Sequence, residues 1–464
     1  MESTYSKPHL TGRNPSRSLE ALATLKVSAI LSGFGSMSPA MWLVQLYVFF
    51  EYVRPQTIYP WLDVLPWSMI SLLLAAVACL AEGRFKFTAK SIWLSITLFT
   101  ATIVLSSVVA FSPEYSWDNR NLWLNWLLLI LIIGGGIRDK KELVLLLIAF
   151  GLWNIKMTQH GVRSWASIGF SFRPIGVGGA PGWFQNSGEF GIQMCVFLPI
   201  VVYFTYGVWP KLGKWSRRFL LCVIASAVIS MIATSSRGAL VGAAAIAVWA
   251  IWRSPHRVRA LTAVALLGTL VWLAVPSESK ERFREMGDDR SSTTRLTYWK
   301  DGIEIANRHP ILGIGYKNWY PYYTTFYNPN GQLPHNFMIE AVSEMGYVGL
   351  GALVWVIAAS FSATRSVRSK TGAQAIVPDR LLWSLSYGFD GALIGFIVSG
   401  SFVSVLYYPY LWMNTAMVLA LVRIVNSRST RITLQAQHIR KISRPAQASR
   451  DDTSANSCVD SGQE

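Results

Sequence analysis

The chain has 464 residues, 52% of them hydrophobic and only 14% charged, with a mean hydropathy of +0.34. A soluble domain carries about 25% charged residues, so this composition excludes an ordinary soluble enzyme and points to a polytopic membrane protein. The net charge of +17 does not mark a nucleic-acid binder, because most of the excess lies in alternate inter-span loops and in the tail, where it acts on membrane topology and anionic lipid.

The apolar runs are too long and too uniform for barrel strands, so an all-α bundle is expected, with about twelve transmembrane helices. They fall near 38–53, 65–82, 92–110, 121–137, 142–158, 187–207, 217–233, 237–252, 260–275, 336–362, 382–402 and 406–425. The organisation expected is an N-terminal region at 1–37, helices 1–9 over 38–275, a large loop at 276–335, helices 10–12 over 336–425 and a basic, disordered tail at 426–464. Residues 20–36 read as a separate span or an interfacial helix. Gly33, Gly35 and Pro39 argue against one straight helix there.

Basic residues set the orientation. Arg84, Lys86, Lys90, Arg138, Lys140, Lys141, Lys211, Lys214, Arg253, Arg257, Arg365, Arg368 and Arg380 fall in loops on one side, with both termini. The long loop opposite is nearly balanced, with eight basic and seven acidic residues. Both termini are therefore expected in the cytoplasm and the long loop in the periplasm. The first twenty residues contain no apolar stretch of the kind a cleavable signal has. Cys79, Cys195, Cys222 and Cys458 form no CxxC pair, so neither a disulfide framework nor a thiolate metal site is expected.

Three outer segments carry candidate chemistry. The loop 159–186 includes Arg173, the glycines Gly176, Gly178, Gly179 and Gly182, and Asn186. It reads either as a substrate-facing loop, with Arg173 and Asn186 as donors, or as a plain connector. Ser235-Ser236-Arg237-Gly238 joins two apolar runs. Arg237 either snorkels there or faces a polar cavity at a helix start, where backbone amides favour an anion. In the loop 276–335, Arg295 begins an amphipathic helix whose apolar face is Trp299, Ile303 and Ile305, ended by His309-Pro310. The aromatics that follow, Tyr316 to Tyr327, form an interfacial belt or a sugar-stacking wall. Asp288-Asp289 is a weak case for a divalent ion.

His335-Asn336 closes the loop at the start of the tenth span, with Glu340 and Glu344 at helical spacing behind it. An imidazole titrates near neutrality and is the common general base, and a neighbouring carboxylate would orient it or raise its basicity.

His335-Asn336, nine residues, Gly346, two residues, Gly349 fits the pattern H-[N/S/Q]-x9-G-x-x-[G/T/Y]. On these residues the chain resembles the O-antigen ligase and O-antigen polymerase superfamily of bacterial envelope glycosyltransferases. Ser236-Arg237, Arg295 with Trp299, and Arg173 to Asn186 resemble further elements of that family, over roughly 160–362. The resemblance implies transfer of a glycan from an undecaprenyl-diphosphate carrier to an acceptor hydroxyl on the periplasmic face of the bacterial inner membrane. The acceptor would be lipid A–core or another glycan, with other envelope polysaccharide assembly proteins as partners. No metal and no cofactor is implied. Arg237 and Arg295 carry over as diphosphate-binding groups and His335 as the base. Asn336 or Glu340 would orient the histidine, and Arg173 and Asn186 would contact donor or sugar. The chemistry is consistent, since arginine forks can stabilise a departing diphosphate without a metal, and a base on the far face of the sugar gives inversion. Ligase and polymerase share these motifs. The rival from another class is a flippase for lipid-linked oligosaccharide, but transporters place their charges at the bilayer midplane, often in repeated halves, and neither feature is legible here.

Overall fold

The computed structural model describes residues 15–172, 176–182, 184–254, 256–274, 280 and 290–442. Among these the chain is helical throughout, with no strand. Arg173, the Asp288-Asp289 pair and the tail from 443 lie outside the described residues.

Each of the twelve apolar runs falls in a helix. Six described helices are long and apolar enough to cross a membrane, and seven if a bent pair counts as one span. The chain is therefore a multi-pass membrane protein, with a less uniform set of spans than the sequence predicts. Trp67–Ala81 has 15 residues, a length of about 22 Å against a hydrocarbon core of about 30 Å. The helix from Arg120 passes into a π-turn at Leu131–Gly135. The chain bends just ahead of the first apolar run: Val27–Gly35 and Pro39–Ile58 are bent by 119°, where Ser38 caps the second helix by accepting the Met41 N–H. This is the break that Gly33, Gly35 and Pro39 predict.

Two boundaries differ from expectation. Lys140–Ser167 absorbs the start of the expected loop at 159. Pro409–Ile442 runs past the expected end at 425, because no glycine or proline interrupts the sequence before Pro445.

The centre of the bundle is the pair Ser187–Val208 and Arg380–Gly400, which pack along their length. Glycine permits the approach: a Cβ on Gly391 would lie 2.8 Å from Pro199 Cβ, and one on Gly395 would lie 2.7 Å from the Cys195 carbonyl oxygen. Small residues at such crossings are the usual way membrane helices gain dispersion contacts without a hydrophobic driving force.

The basic loops gather at one end. Arg84 pairs with Glu82 at 2.6 Å and Glu142 at 2.9 Å, and Asp379 receives Lys140 at 2.7 Å and Arg428 at 2.5 Å. Arg423 donates to the carbonyls of Gly135, at the end of the π-turn, and of Arg84. The helices that start at the other end, at Ser187, Arg237 and Phe337, all run toward this basic end.

The segment after residue 290 folds into two helices, Arg290–Arg308 and Trp319–Phe326. They enclose a small core of their own built from Tyr298, Ile305, Ile314, Trp319, Tyr322 and Tyr323. Trp319 stacks on Tyr323 at 4.9 Å, and Tyr323 on Tyr327 at 5.1 Å. Most of the expected belt is thus an aromatic core, while Tyr320 and Phe326 remain outside at 49% and 59% exposure. Ile303 also departs from its expected place: it is 41% exposed, and Tyr298 takes the buried face instead.

Candidate functional site

Three helices begin at one cavity of about 580 Å³. Each is capped by the residue its sequence puts in place. Asn186 Oδ1 accepts the Gly188 N–H at 2.7 Å. Ser236 Oγ accepts the Ala239 N–H at 3.4 Å. Asn336 Oδ1 accepts from Met338 at 2.9 Å and Ile339 at 3.3 Å. Residues 186–189 and 235–238 line the cavity, and His335 joins them from the start of the third helix. A helix N-terminus carries roughly half a positive charge. Three starts at one cavity give it a field suited to an anion before any side chain is counted.

The glycine loops hold this arrangement. Val177 donates its N–H to the Ala233 carbonyl at 3.0 Å. A Cβ on Gly176 would fall 1.8 Å from the Thr234 carbonyl oxygen. The segment 176–182 is therefore packed under the Ser235-Ser236 turn. It supports the turn and is not a loose connector.

The H-N-x9-G motif has a physical reading. Asn336 starts the helix Phe337–Thr371, and Gly346 breaks it at φ 65°, ψ −172°. At the break Tyr347 donates its N–H to the Pro310 carbonyl at 2.8 Å. Ile314 and Gly315 donate theirs to the carbonyls of Ser343 and Glu344 at 3.0 and 2.9 Å. A Cβ on Gly346 would lie 2.5 Å from the Ile311 carbonyl carbon. The nine residues between cap and break form a separate outer piece of helix, and the 309–319 loop lies across it.

Inside that piece Glu340 and Glu344 are 2% and 1% exposed. Glu340 accepts the Leu406 N–H at 3.4 Å and lines the cavity. Glu344 accepts from the N–H groups of Lys317 at 3.0 Å and Trp319 at 3.3 Å, and from the Tyr407 hydroxyl at 2.6 Å.

His335 sits at φ 49°, a left-handed backbone that few residues other than glycine adopt. Its N–H donates to Ser404 Oγ at 2.9 Å, and its Nε2 lies 3.5 Å from Gln332 Oε1. Arg295 reaches the same place because its helix is docked on the outer piece. Trp299, one turn on, donates Nε1–H to the Pro334 carbonyl at 3.0 Å. A Cβ on Gly302 would meet Ile339 at 2.4 Å. Burial, and then the charge of Arg295, holds the imidazole below its ordinary pKa. At neutral pH the ring is a neutral base with an available lone pair.

Arg237, Arg295, His335, Asn186 and Glu340 all line the cavity, although the sequence separates them by up to about 150 positions. Asn336 is adjacent, but its carbonyl is used as a cap. No carboxylate is hydrogen-bonded to His335 among the described residues: its ring faces Gln332 Oε1, and Ser404 Oγ holds its backbone N–H. The same cavity is lined by Glu189, Lys317, Phe402, Tyr407 and Tyr408, which sequence reasoning passed over. Glu189 accepts the Tyr408 hydroxyl at 2.8 Å. A signal for Glu189 was present, since it lies three residues from the Asn186 cap. Lys317 was hidden in an aromatic-rich stretch.

Comparison with known proteins agrees with the motif. Residues 220–354 match the O-antigen ligase family, Wzy_C. That stretch contains Arg237, Arg295, His335-Asn336 and the Gly346–Gly349 pair. The chain is also similar to the Exopolysaccharide production protein ExoQ of Rhizobium meliloti (strain 1021), with 34% identity over 85 residues. That match covers 16% of this chain and 20% of the relative, so the chain matches about a fifth of that protein's length. These matches support the resemblance to the O-antigen ligase and polymerase superfamily.

Proposed function

We propose that this O-antigen ligase-like chain is a metal-independent glycosyltransferase. It moves a glycan from an undecaprenyl-diphosphate carrier to an acceptor hydroxyl at the periplasmic face of the bacterial inner membrane. The observation that carries the reading is the meeting of Arg237, Arg295 and His335 on one cavity where three helices begin. The diphosphate leaving group takes the arginines and the helix starts. Guanidinium forks pair with phosphate oxygens, and the fixed backbone dipoles need no reorganisation as negative charge builds.

His335 is the base. Its neutral ring removes the proton of the acceptor hydroxyl as the oxygen attacks the anomeric carbon. The C–O bond to the diphosphate breaks on the opposite face, the diphosphate leaves on its lipid, and the configuration inverts. Asn186 and Asn336 act through the helix starts they cap, and Glu340 and Glu189 supply acceptors for sugar hydroxyls. The twelve helical runs would form the bundle, with both termini cytoplasmic and the 276–335 loop on the periplasmic side.

The test is a transfer assay with purified protein in nanodiscs, with EDTA present. The donor is undecaprenyl-diphosphate oligosaccharide, offered with lipid A–core or alone. Product on lipid A–core identifies a ligase, and longer lipid-linked chains from donor alone identify a polymerase. Either product should fall at least about 10²-fold in Arg237→Ala, Arg295→Ala and His335→Ala. Folded protein that transfers nothing in either tube overturns the reading.

A further inference from the structure

Lys317 belongs to the run Gly315-Tyr316-Lys317-Asn318-Trp319, and its neighbours are immobilised. Tyr316, Asn318 and Trp319 are each 0% exposed. The Tyr316 hydroxyl donates to the Asn119 carbonyl at 3.0 Å. Asn318 Oδ1 accepts the Ser112 N–H at 2.6 Å, and its Nδ2 donates to Ser116 Oγ at 2.7 Å. Trp319 Nε1 donates to the Gln332 carbonyl at 2.9 Å.

Between these anchors Lys317 is held at φ 62°, with its N–H fixed on Glu344 Oε2 at 3.0 Å. Its side chain lines the cavity together with Arg237, Arg295 and His335. The ammonium sits 5.0 Å from the centre of the Tyr407 ring, and among the described residues it forms no ion pair.

Strained backbone at a non-glycine residue persists only where its surroundings enforce it. Ser235, Lys317 and His335 are all left-handed, and all three line this cavity. A lysine serving only solubility needs neither strain nor three buried neighbours. The ring face beside it steadies the ammonium, whose charge also acts on the buried carboxylates of Glu340 and Glu344. A compact, flexible ammonium complements two guanidinium forks, because it can follow charge as it moves onto the leaving oxygen.

We propose that Lys317 is a third cationic ligand of the diphosphate, presented by a strained loop that Glu344 fixes in place. The proposal rests on the reading of the cavity as a diphosphate site. Glu344 is then a positioning residue and Lys317 a catalytic one.

The experiment measures binding of undecaprenyl diphosphate and undecaprenyl monophosphate to the full chain in nanodiscs, over a range of salt. Wild type, Lys317→Met and Lys317→Gly are compared, with melting temperature followed for each. The wild type should prefer the diphosphate. Both variants should lose about tenfold or more for the diphosphate, change little for the monophosphate and show a shallower salt dependence. Lys317→Gly should melt no lower than wild type, since glycine accepts the left-handed backbone. If the wild type discriminates and both variants retain its preference, Lys317 is not a ligand while the diphosphate site survives. Equal losses for both lipids, or melting collapse in both variants, would make Lys317 structural and overturn the proposal. A wild type with no preference for diphosphate overturns this proposal together with the reading beneath it.

Discussion

Glu344 holds Lys317 by its backbone: the carboxylate accepts the lysine's own N–H at 3.0 Å, while the ammonium lies over the face of Tyr407 and makes no ion-pair contact with Glu344, though its charge still acts on it. One buried carboxylate thereby fixes two residues of the cavity wall, since it also takes the Tyr407 hydroxyl at 2.6 Å. Glu344→Ala leaves three buried donors unmatched. It should cost about 3 kcal/mol or more and lower the melting temperature in detergent. Glu344→Gln keeps one carbonyl acceptor and should be milder. Equal melting of the alanine variant and wild type would refute the latch.

His335 sets the pH response. Burial and then the charge of Arg295 lower its pKa, so the basic form persists as pH falls below the ordinary imidazole value of about 6.5. The acid limb of kcat/KM should therefore have its midpoint below that value. Arg295→Gln removes a positive neighbour and should move the midpoint of the residual activity upward. Histidine NMR on the folded protein checks the same shift without turnover. A limb above 6.5 in wild type would show that another group controls it. Stability follows the same sign. A histidine whose folded pKa is depressed favours the native state above the unfolded pKa, and that contribution is lost as pH falls through the folded one.

Asn336 separates capping from substrate contact. As a cap it is worth about 1 kcal/mol, so Asn336→Ala should lower stability by that amount. Asn336→Asp and Asn336→Ser cap as well, and should restore both melting temperature and transfer. A substrate-contacting amide would not be rescued by serine. Transfer rates with Asn336→Ser therefore discriminate between the two roles.

Gly346 has a backbone conformation that side chains do not tolerate, φ 65° with ψ −172°. Gly346→Ala adds a Cβ against the carbonyl of Ile311. The combined penalty should exceed about 3 kcal/mol. Loss of folded protein on size exclusion is the expected outcome. Gly349→Ala, at a position without positive φ, should be the milder of the two.

Part of this site was legible in sequence: the H-N-x9-G spacing, the helix start at Ser236-Arg237, and arginines outside the basic loops that read as out of place. The capping by Asn186 and Asn336 and the helix break at Gly346 were not, because they are backbone geometry that only the folded chain displays. The gathering of Arg84, Lys140 and Arg428 at one end of the bundle was legible from the basic loops alone. Other features were not. Nothing local shows that Trp67–Ala81 is too short to span alone, since its apolar run extends into flanking residues that turn. Ile303 and Ile305 share one hydrophobicity, and only docking through Gly302 decides which is buried. Spacing alone could not show where the two expected partners of His335 turn: Asn336 caps its own helix, and Glu340 accepts the backbone N–H of Leu406. Lys317 was missed because its importance lies in a backbone angle.

The outer piece of the Phe337–Thr371 helix has a further consequence. Cap and break are both fixed to their surroundings, Asn336 beside the cavity and Gly346 on Pro310. The nine residues between them therefore act as a gear of set tooth number. An inserted or deleted residue turns everything on one side of it by about 100°. That would swing Glu340 off the cavity or Glu344 off its loop, while each residue kept its helix and its chemistry. Length in this segment is thus as much a part of the site as any side chain, and drift here would be paid for in rotation rather than in lost contacts.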